Sequence, residues 1–517
     1  MLLLALTAAL SVAQSEHTHS APASAVALEL AQRPVAMRTG IGSAHDPAAG
    51  SSPQARAFFD QGLAYLHSYV WIEAARSFNQ ALRLDPKLAL AHLGLTIAYT
   101  ELNAAAAARA ALERAQALAV TEHDRRHVSA RALQMAAEAA PADTAKLAAY
   151  RADLDRALAT FPSDEEFWLQ RGQAASPDPA ERGQGSVADS VRFYEKALAL
   201  APAHFAAHHY LTHAYENSGR VQDALTQGAT YAKMAPAVPH ARHMDGHNLR
   251  RAGRIDEAIA EFTEADALET AYFAAEKIPV EYDWHYQHNL DLLATSYQYV
   301  GQMRKAEELF RRSFAIPSSL LVQEFNKREW PVFLLARGRA QEALAAAGTM
   351  AAHRSPVVSA AGHVEAGRAR LALGQFKEAA DEGNTALRLM RGTEGAGLVA
   401  DALQAMQGEF LLRTGKPAQG RPMLEDVVRK ARGRPGPDAW TQALFTIEAV
   451  ARAAREVGNW ELAAWAARQM LEHDPNYAGS HEALALVAEH GGDAQTARSE
   501  RALVAKYWKN ADPDVKR

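Results

Sequence analysis

The 517-residue sequence contains no cysteine. Disulfides, thiolate metal sites and cysteine nucleophiles are thereby excluded, and the absence is compatible with either redox compartment. A basic surplus is missing too. The 55 Lys and Arg stand against 60 Asp and Glu, a net charge of −5, so no positive field is present to hold nucleic acid. Beyond the N-terminus no run is apolar for long enough to span a membrane. No alternating β-branched run is long enough to build a sheet. Walker loops, dinucleotide fingerprints, H-E-x-x-H and G-x-S-x-G motifs are likewise missing in any supporting context.

The first thirteen residues, MLLLALTAALSVA, form an apolar run of signal-peptide length, with Ser11, Val12 and Ala13 offering small residues for cleavage before Gln14. This segment (1–13) lacks a positive n-region, yet it predicts export to the periplasm or beyond. Residues 14–52 are rich in Ala, Ser, Pro and Gly and read as a flexible linker. Helical periodicity begins at Pro53 and hardly stops. A chain this long exceeds one compact core, whereas a repeat array grows without that limit.

What is abundant is histidine in one place. Nine of the 21 histidines (His204, His208, His209, His213, His240, His243, His247, His285 and His288) fall within residues 204–288, where an even spread would put about three or four. His209 and His213 are four apart, as are His243 and His247, and the second pair follows the first by 34 residues. A 34-residue period belongs to helix–turn–helix arrays, and i,i+4 spacing puts two side chains on one helix face. Neighbouring helix axes lie about 8–10 Å apart, so histidines from stacked helices can meet at one ion. Imidazole suits Zn, Cu, Fe and Ni, and an added carboxylate permits a mixed donor set.

Residues 55–86, ARAFFDQGLAYLHSYVWIEAARSFNQALRLDP, carry Phe58, Gly62, Tyr65, Ala74, Phe78, Ala81 and Pro86 at the marked places of a known motif. The stretch resembles the tetratricopeptide repeat (TPR). Clean repeats also begin at 205, 239 and 287, with Gly219, Gly253 and Gly301 at the turn. Weaker ones follow at 327–350, 360–392 and 398–431, and better ones at 444–475 and 478–510. Residues 105–175 are helical in pattern but match poorly, 177–185 read as a loop, and 433–437 as a turn. An insertion, 269–286, carries Glu281, Tyr282, Asp283 and Trp284 as a candidate lid. The chain is also similar to large exported bacterial TPR proteins with a histidine-rich central helix pair, a likeness resting on 58–86, HHYLTH and HARHMDGH. The resemblance implies an all-α TPR-type solenoid, a right-handed superhelix, in three stretches: 53–175, 176–320 with the histidine-lined groove, and 321–517.

In that family the first helix of each repeat exposes places 2, 5, 9 and 12 to a concave groove. Place 5 here reads His209, His243 and Asp291; place 9 reads His213, His247 and Thr295; place 2 reads Ala206, His240 and His288. His285 lies one turn before His288. The candidate metal ligands are therefore His209, His213, His240, His243, His247, His285, His288 and Asp291. Asp245, at a place normally apolar, reads as orienting a ligand histidine or as a tolerated substitution, and Glu216, Arg250 and Arg251 are placed to clamp a charged ligand or form ion pairs. His92, His208 and His481 read as packed within their own repeats. His67, His353, His363, His473 and His490 are isolated and read as structural or surface residues, and His17 and His19 lie in the N-terminal tail. Three functions follow. The first is a binder of a transition metal (Cu, Zn or Fe), for sequestration or ligand binding. The second is a metal-dependent oxidase or hydrolase with an open coordination position. The third is a metal-free scaffold holding a protein or peptide in the groove.

Overall fold

The computed structural model describes residues 28–47, 52–176, 186–318, 320–393, 395–434, 439–513 and 515. The segment read as a signal peptide, His17, His19, the 177–185 loop and part of the 433–437 turn lie outside these residues. All regular structure among the described residues is helical. The chain divides into two compact units between Asn289 and Leu290.

The N-terminal unit begins with α1 (Leu28–Ala31), α2 (Pro53–His67), α3 (Trp71–Leu84), α4 (Ala89–Glu101) and α5 (Ala105–Leu118). It continues through α6 (Glu122–Glu138), α7 (Thr144–Thr160), α8 (Glu165–Gln173) and α9 (Val187–Leu200). The repeats in clean register follow as α10 (Phe205–Asn217) with α11 (Val221–Met234), then α12 (Pro239–Arg251) with α13 (Ile255–Glu276). Helix α14 (Tyr286–Tyr299) runs across the division. The C-terminal unit adds α15 (Met303–Ala315), α16 (Leu321–Asn326), α17 (Glu329–Ala336), α18 (Ala340–Ala351), α19 (Pro356–Ala372) and α20 (Phe376–Met390). It ends with α21 (Gly397–Arg413), α22 (Pro417–Gly433), α23 (Ala439–Glu456), α24 (Trp460–His473), α25 (Ala478–His490) and α26 (Ala494–Tyr507). No helix among the described residues is long and apolar enough to cross a membrane.

The fold is of TPR type, an array of antiparallel helix pairs, and the motif residues explain the pairing. Gly62 lies against the fully buried Phe78, where a Cβ would come within 2.5 Å of the ring, and Gly246 lies in the same way against Phe262 at 2.7 Å. Only a residue without a side chain lets the two helices of a repeat approach that closely. The first helices stop alike. At Gly219 (φ +74°) and Gly253 (φ +75°) the chain turns left-handed. The next amide bonds back, Arg220 to the Tyr215 carbonyl at 2.9 Å and Arg254 to Leu249 at 2.8 Å, closing a Schellman-type end.

Residues 28–47, read as part of a linker, are packed instead. Leu30, Ala31, Val35 and Ile41 are buried in the core that contains Phe59 and Phe78. The Arg38 amide donates to Gln61 Oε1 (2.8 Å), and the Ala237 amide donates to the Gly40 carbonyl (2.8 Å). This arm thus bridges the first repeat to the α11–α12 corner. From α13, Tyr272 donates to Glu73 on α3 (3.0 Å). The earliest and latest repeats of the unit therefore face each other. The C-terminal unit closes similarly: Trp508 Nε1 donates to the Tyr299 carbonyl, and Tyr299 donates to Asp474, both at 2.9 Å.

Gly62→Ala tests this packing rule. Alanine is the better helix former by about 1 kcal/mol, but Phe78 is also hemmed in by Gly94, whose own Cβ would lie 2.4 Å from the ring. The ring has nowhere to go. A net loss of about 1–3 kcal/mol is expected in chemical unfolding, and a net gain would contradict the account.

Candidate metal centre

Three helix starts supply the centre. On α10, His209 and His213 share a face; on α12, which begins with Pro239 at its first position, His240, His243 and His247 do so. Asp283 Oδ1 accepts from the amides of His285 (2.8 Å) and Tyr286 (2.7 Å), fixing the start of α14 and with it His285 and His288. The histidines expected to line an open groove are instead enclosed: His209 is 0%, His243 1% and His247 2% exposed.

Six of the eight candidate ligands form two groups of three. His209, His213 and His240 bring one ring nitrogen each within 4.8 Å of one another, and so do His243, His247 and His288. In the first group His209 Nε2 lies 3.1 Å from His213 Nε2 and 3.0 Å from His240 Nε2. In the second, His243 Nε2 and His247 Nε2 are 3.0 Å apart. The groups adjoin, with the His240 and His243 ring centres 5.9 Å apart. His285 stands at the junction, its ring 4.9 Å from His240 and 4.2 Å from His243. Asp291 belongs to neither group; it is in the C-terminal unit, where its carboxylate accepts from Ser313 Oγ (2.6 Å).

The outward nitrogens decide what the inward ones can do. His209 Nδ1–H donates to the His67 carbonyl at 2.6 Å. His243 Nδ1–H donates to Asn289 Oδ1 at 3.0 Å, and the amide is fixed that way round because Asn289 Nδ2 donates to the Phe262 carbonyl. His247 Nδ1 faces Glu216 at 3.3 Å, and His285 Nδ1 faces Glu269 at 2.5 Å. A carbonyl or ionised carboxylate oxygen accepts, so each of these rings carries a proton on Nδ1, and a ring that is neutral presents a bare Nε2 lone pair inward. His243 Nε2 and His247 Nε2 then face each other across 3.0 Å, and with both rings neutral no hydrogen lies between them. A cation relieves that arrangement, either a metal ion or a proton carried by His247 beside Glu216. Protonation of His209, His240 and His243 is disfavoured: burial, followed by the neighbouring histidines, holds all three well below the usual histidine range.

Glu216 thus takes the role expected of Asp245. Asp245 sits among Arg242, Glu261, Arg254 and Glu257, and burial, with Glu261 next, raises its carboxyl to about 6. Arg250 is also withdrawn from any groove, with 1% exposure and its guanidinium over the Phe262 ring.

Aromatic cover completes the centre. From the 269–286 insertion, which continues α13 and then makes a 3-10 turn at Val280–Tyr282, the Trp284 ring packs 5.4 Å from His240. Its Nε1 donates to the Tyr69 carbonyl (2.9 Å). Tyr69 lies 4.7 Å from His209 and 5.5 Å from His240 and holds φ at +59°. It occupies the turn position where Gly219 and Gly253 stand in the later repeats, and a bulky residue pays strain there. The tyrosine in place of the turn glycine was the sequence signal of its part of the cover, as the aromatic insertion was for Trp284.

His67, read as isolated, belongs to a deeper layer. Its Nε2 lies 3.1 Å from both oxygens of Glu166, and His204 Nε2 lies 2.8 Å from Glu166 Oε1. Burial alone would raise the Glu166 carboxyl, but His67 and His204 outweigh it and hold it below the ordinary range. The layer stiffens the backbone carbonyl that orients His209.

A TPR-type helical scaffold with a buried poly-histidine centre is the class this geometry defines. No family model matches the chain, and no curated protein does. Among solved structures it is similar to yeast Tom70, at 12% identity over 81% of this chain and 92% of that one, with a TM-score of 0.38. It is also similar to the apo quorum sensor NprR from B. thuringiensis, at 11% over 76% and 98%, TM-score 0.43. A third is PilW, a type IV pilus biogenesis factor, at 15% over 51% and 94%, TM-score 0.26. With scores this low, the fold assignment rests on the helix pairing itself.

Two substitutions separate the carboxylates. Glu216→Gln should weaken metal binding at the second group by about 10–100-fold, the usual cost of losing an orienting partner. Asp245→Asn should leave binding unchanged and alter stability instead. Burial pushes the folded Asp245 carboxyl up to about 6, above the ordinary aspartate value, so the folded state loses stability as pH rises through that window. The Asn variant should be more stable than the parent at pH 7.5, by about 1 kcal/mol after discounting for solvent access, and equal to it near pH 3.5. A binding defect in Asp245→Asn would reverse the assignment.

Proposed function

We propose that the chain is an exported metal protein whose N-terminal unit binds a pair of transition-metal ions, one at each tri-histidine group. The observation that carries this reading is the facing Nε2 lone pairs of His243 and His247 at 3.0 Å, each ring anchored through Nδ1. The spacing fits an ion. With metal–nitrogen bonds of about 2.0–2.1 Å, nitrogens 3.0–3.1 Å apart subtend about 90–100° at the metal. That angle and an all-imidazole donor set suit copper better than tetrahedral zinc. Export is proposed from residues 1–13 alone.

The ligand count separates the remaining readings. Three protein ligands per ion leave coordination positions for an outside molecule, which is how catalytic rather than storage sites are built. This supports copper-dependent oxidase chemistry beneath Tyr69 and Trp284 as the second reading. A metal-free peptide groove is supported less, since His209, His243 and His247 offer almost no surface to a peptide.

Untagged protein offered Cu, Zn, Fe and Ni together should take up about two ions per chain at these groups, predominantly copper. His213→Ala with His247→Ala should lose both while keeping its helical circular dichroism. Equal metal content in parent and variant would overturn the reading, and oxygen uptake by the copper-loaded parent decides between storage and catalysis.

A further inference from the structure

A second cluster in the N-terminal unit uses none of the groove histidines. Thr121 caps α6 through its side chain, placing His123 in the first turn and His127 one turn later on the same face. Asp164 is the capping residue of α8, and Asp46 comes from the end of the packed N-terminal arm. His123 Nε2 lies 2.8 Å from Asp164 Oδ2 and 3.2 Å from Asp46 Oδ1. His127 Nε2 lies 3.4 Å from Asp164 Oδ2 and 3.6 Å from Asp46 Oδ2. Ligand atoms from all four residues fall within 4.8 Å of one another.

The hydrogen bonds of this cluster leave buried polar atoms over, among them Asp46 Oδ1, and His123 Nδ1 and Asp124 Oδ1, which face each other at 3.7 Å. Asp46 is 5% exposed, yet its Oδ1 accepts no hydrogen bond although it points at His123 Nε2. One ring N–H cannot serve both carboxylates, and the Asp164 oxygen is the nearer. A buried carboxylate oxygen left without a donor is costly. The walls suit a closed site: His127 stacks on Phe167 at 3.8 Å and 10°, and Phe161 stands edge-on to His123 at 5.4 Å. Gln170, whose amide oxygen and nitrogen exchange by a half-turn, meets His127 Nδ1 at 3.3 Å and so leaves Nε2 facing the carboxylates.

We propose that Asp46, His123, His127 and Asp164 form a structural zinc site that pins the N-terminal arm to α6 and α8. Two imidazoles and two carboxylates make a closed four-ligand set, the hallmark of structural rather than catalytic zinc. Around a tetrahedral ion with bonds near 2.0–2.1 Å, donor atoms lie about 3.3–3.4 Å apart, close to the 2.8–3.6 Å separations found here. Two negative charges balance one divalent cation. The carboxylate oxygens also make this set harder than the imidazole-only groups, so the two kinds of site sort metals differently. Because the arm packs on the first repeat and on the α11–α12 corner, an ion here stabilises the frame around the histidine centre without touching it.

Protons are the rival occupant, since two imidazolium rings balance the same two carboxylates. The test uses the full chain carrying His213→Ala and His247→Ala, so that the groove centre is disabled and its failure cannot be mistaken for failure here. Zn²⁺ is added at pH 8, excess is removed by gel filtration, and zinc content, proton release and melting temperature are read. About one zinc should remain, with protons released on binding and a higher melting temperature. Adding Asp46→Asn, which lies outside any helix, or His123→Ala should abolish retention and the thermal shift. If this background retains no zinc while keeping its helical circular dichroism, or if Asp46→Asn retains as much as its parent, the cluster is held by protons alone and the proposal falls.

Discussion

The structure turns on the direction of imidazole lone pairs. A backbone carbonyl, an amide oxygen and a carboxylate take the Nδ1 protons of His209, His243 and His247, and in neutral rings the opposite nitrogens, which converge inside the protein, carry none. In water such an arrangement would disperse or protonate. Here burial disfavours the charged ring, and the helices hold the rings in place. Within the first group His209 presents its bare nitrogen to two neighbours at 3.0 and 3.1 Å; within the second, His243 and His247 approach to 3.0 Å, with no hydrogen to relieve the approach when both are neutral. Everything around the centre keeps those nitrogens where they are.

The repeat architecture makes that possible. Stacking helix pairs at a fixed period puts equivalent side chains of α10 and α12 side by side, and the capping of α14 by Asp283 brings a third set alongside. An ordinary array would leave these faces to solvent. The N-terminal arm, the left-handed Tyr69 and the Trp284 insertion close the site instead, and closure removes water, which strengthens the electrostatic demand for a cation. The buried His67–Glu166–His204 layer belongs to the same design, since it fixes the segment whose carbonyl sets the His209 tautomer.

The ladder of histidines was legible because it depends on local spacing. Two i,i+4 pairs offset by one repeat length predict shared faces on stacked helices, and six of the eight candidates do meet in threes. The helix pairs and turn glycines were readable for the same reason. What stayed hidden depends on contacts distant in sequence. Glu216 reaches His247 across 31 residues and the His67 carbonyl reaches His209 across 142, with no pattern linking either pair. The arm at 28–47 has a linker's composition yet is ordered by what it packs against. Asp291 matched a motif place by number, but it lies beyond the division of the chain and bonds Ser313. The His123–His127 pair has the same i,i+4 spacing as the groove pairs but has no counterpart one repeat away and was not singled out; its carboxylates come from segments 77 residues before His123 and 37 residues after His127.

The central claim is a statement about protons, and ¹⁵N NMR of the histidine rings in metal-free protein at pH 8 reads it directly. The account predicts that His209, His243 and His247 are neutral and protonated on Nδ1, with Nε2 bare, and that the Nε2 signals move when metal is added. Finding an Nε2 proton on His243 or His247 would mean that an ordinary hydrogen bond joins them, and the case for a metal centre would lose its foundation.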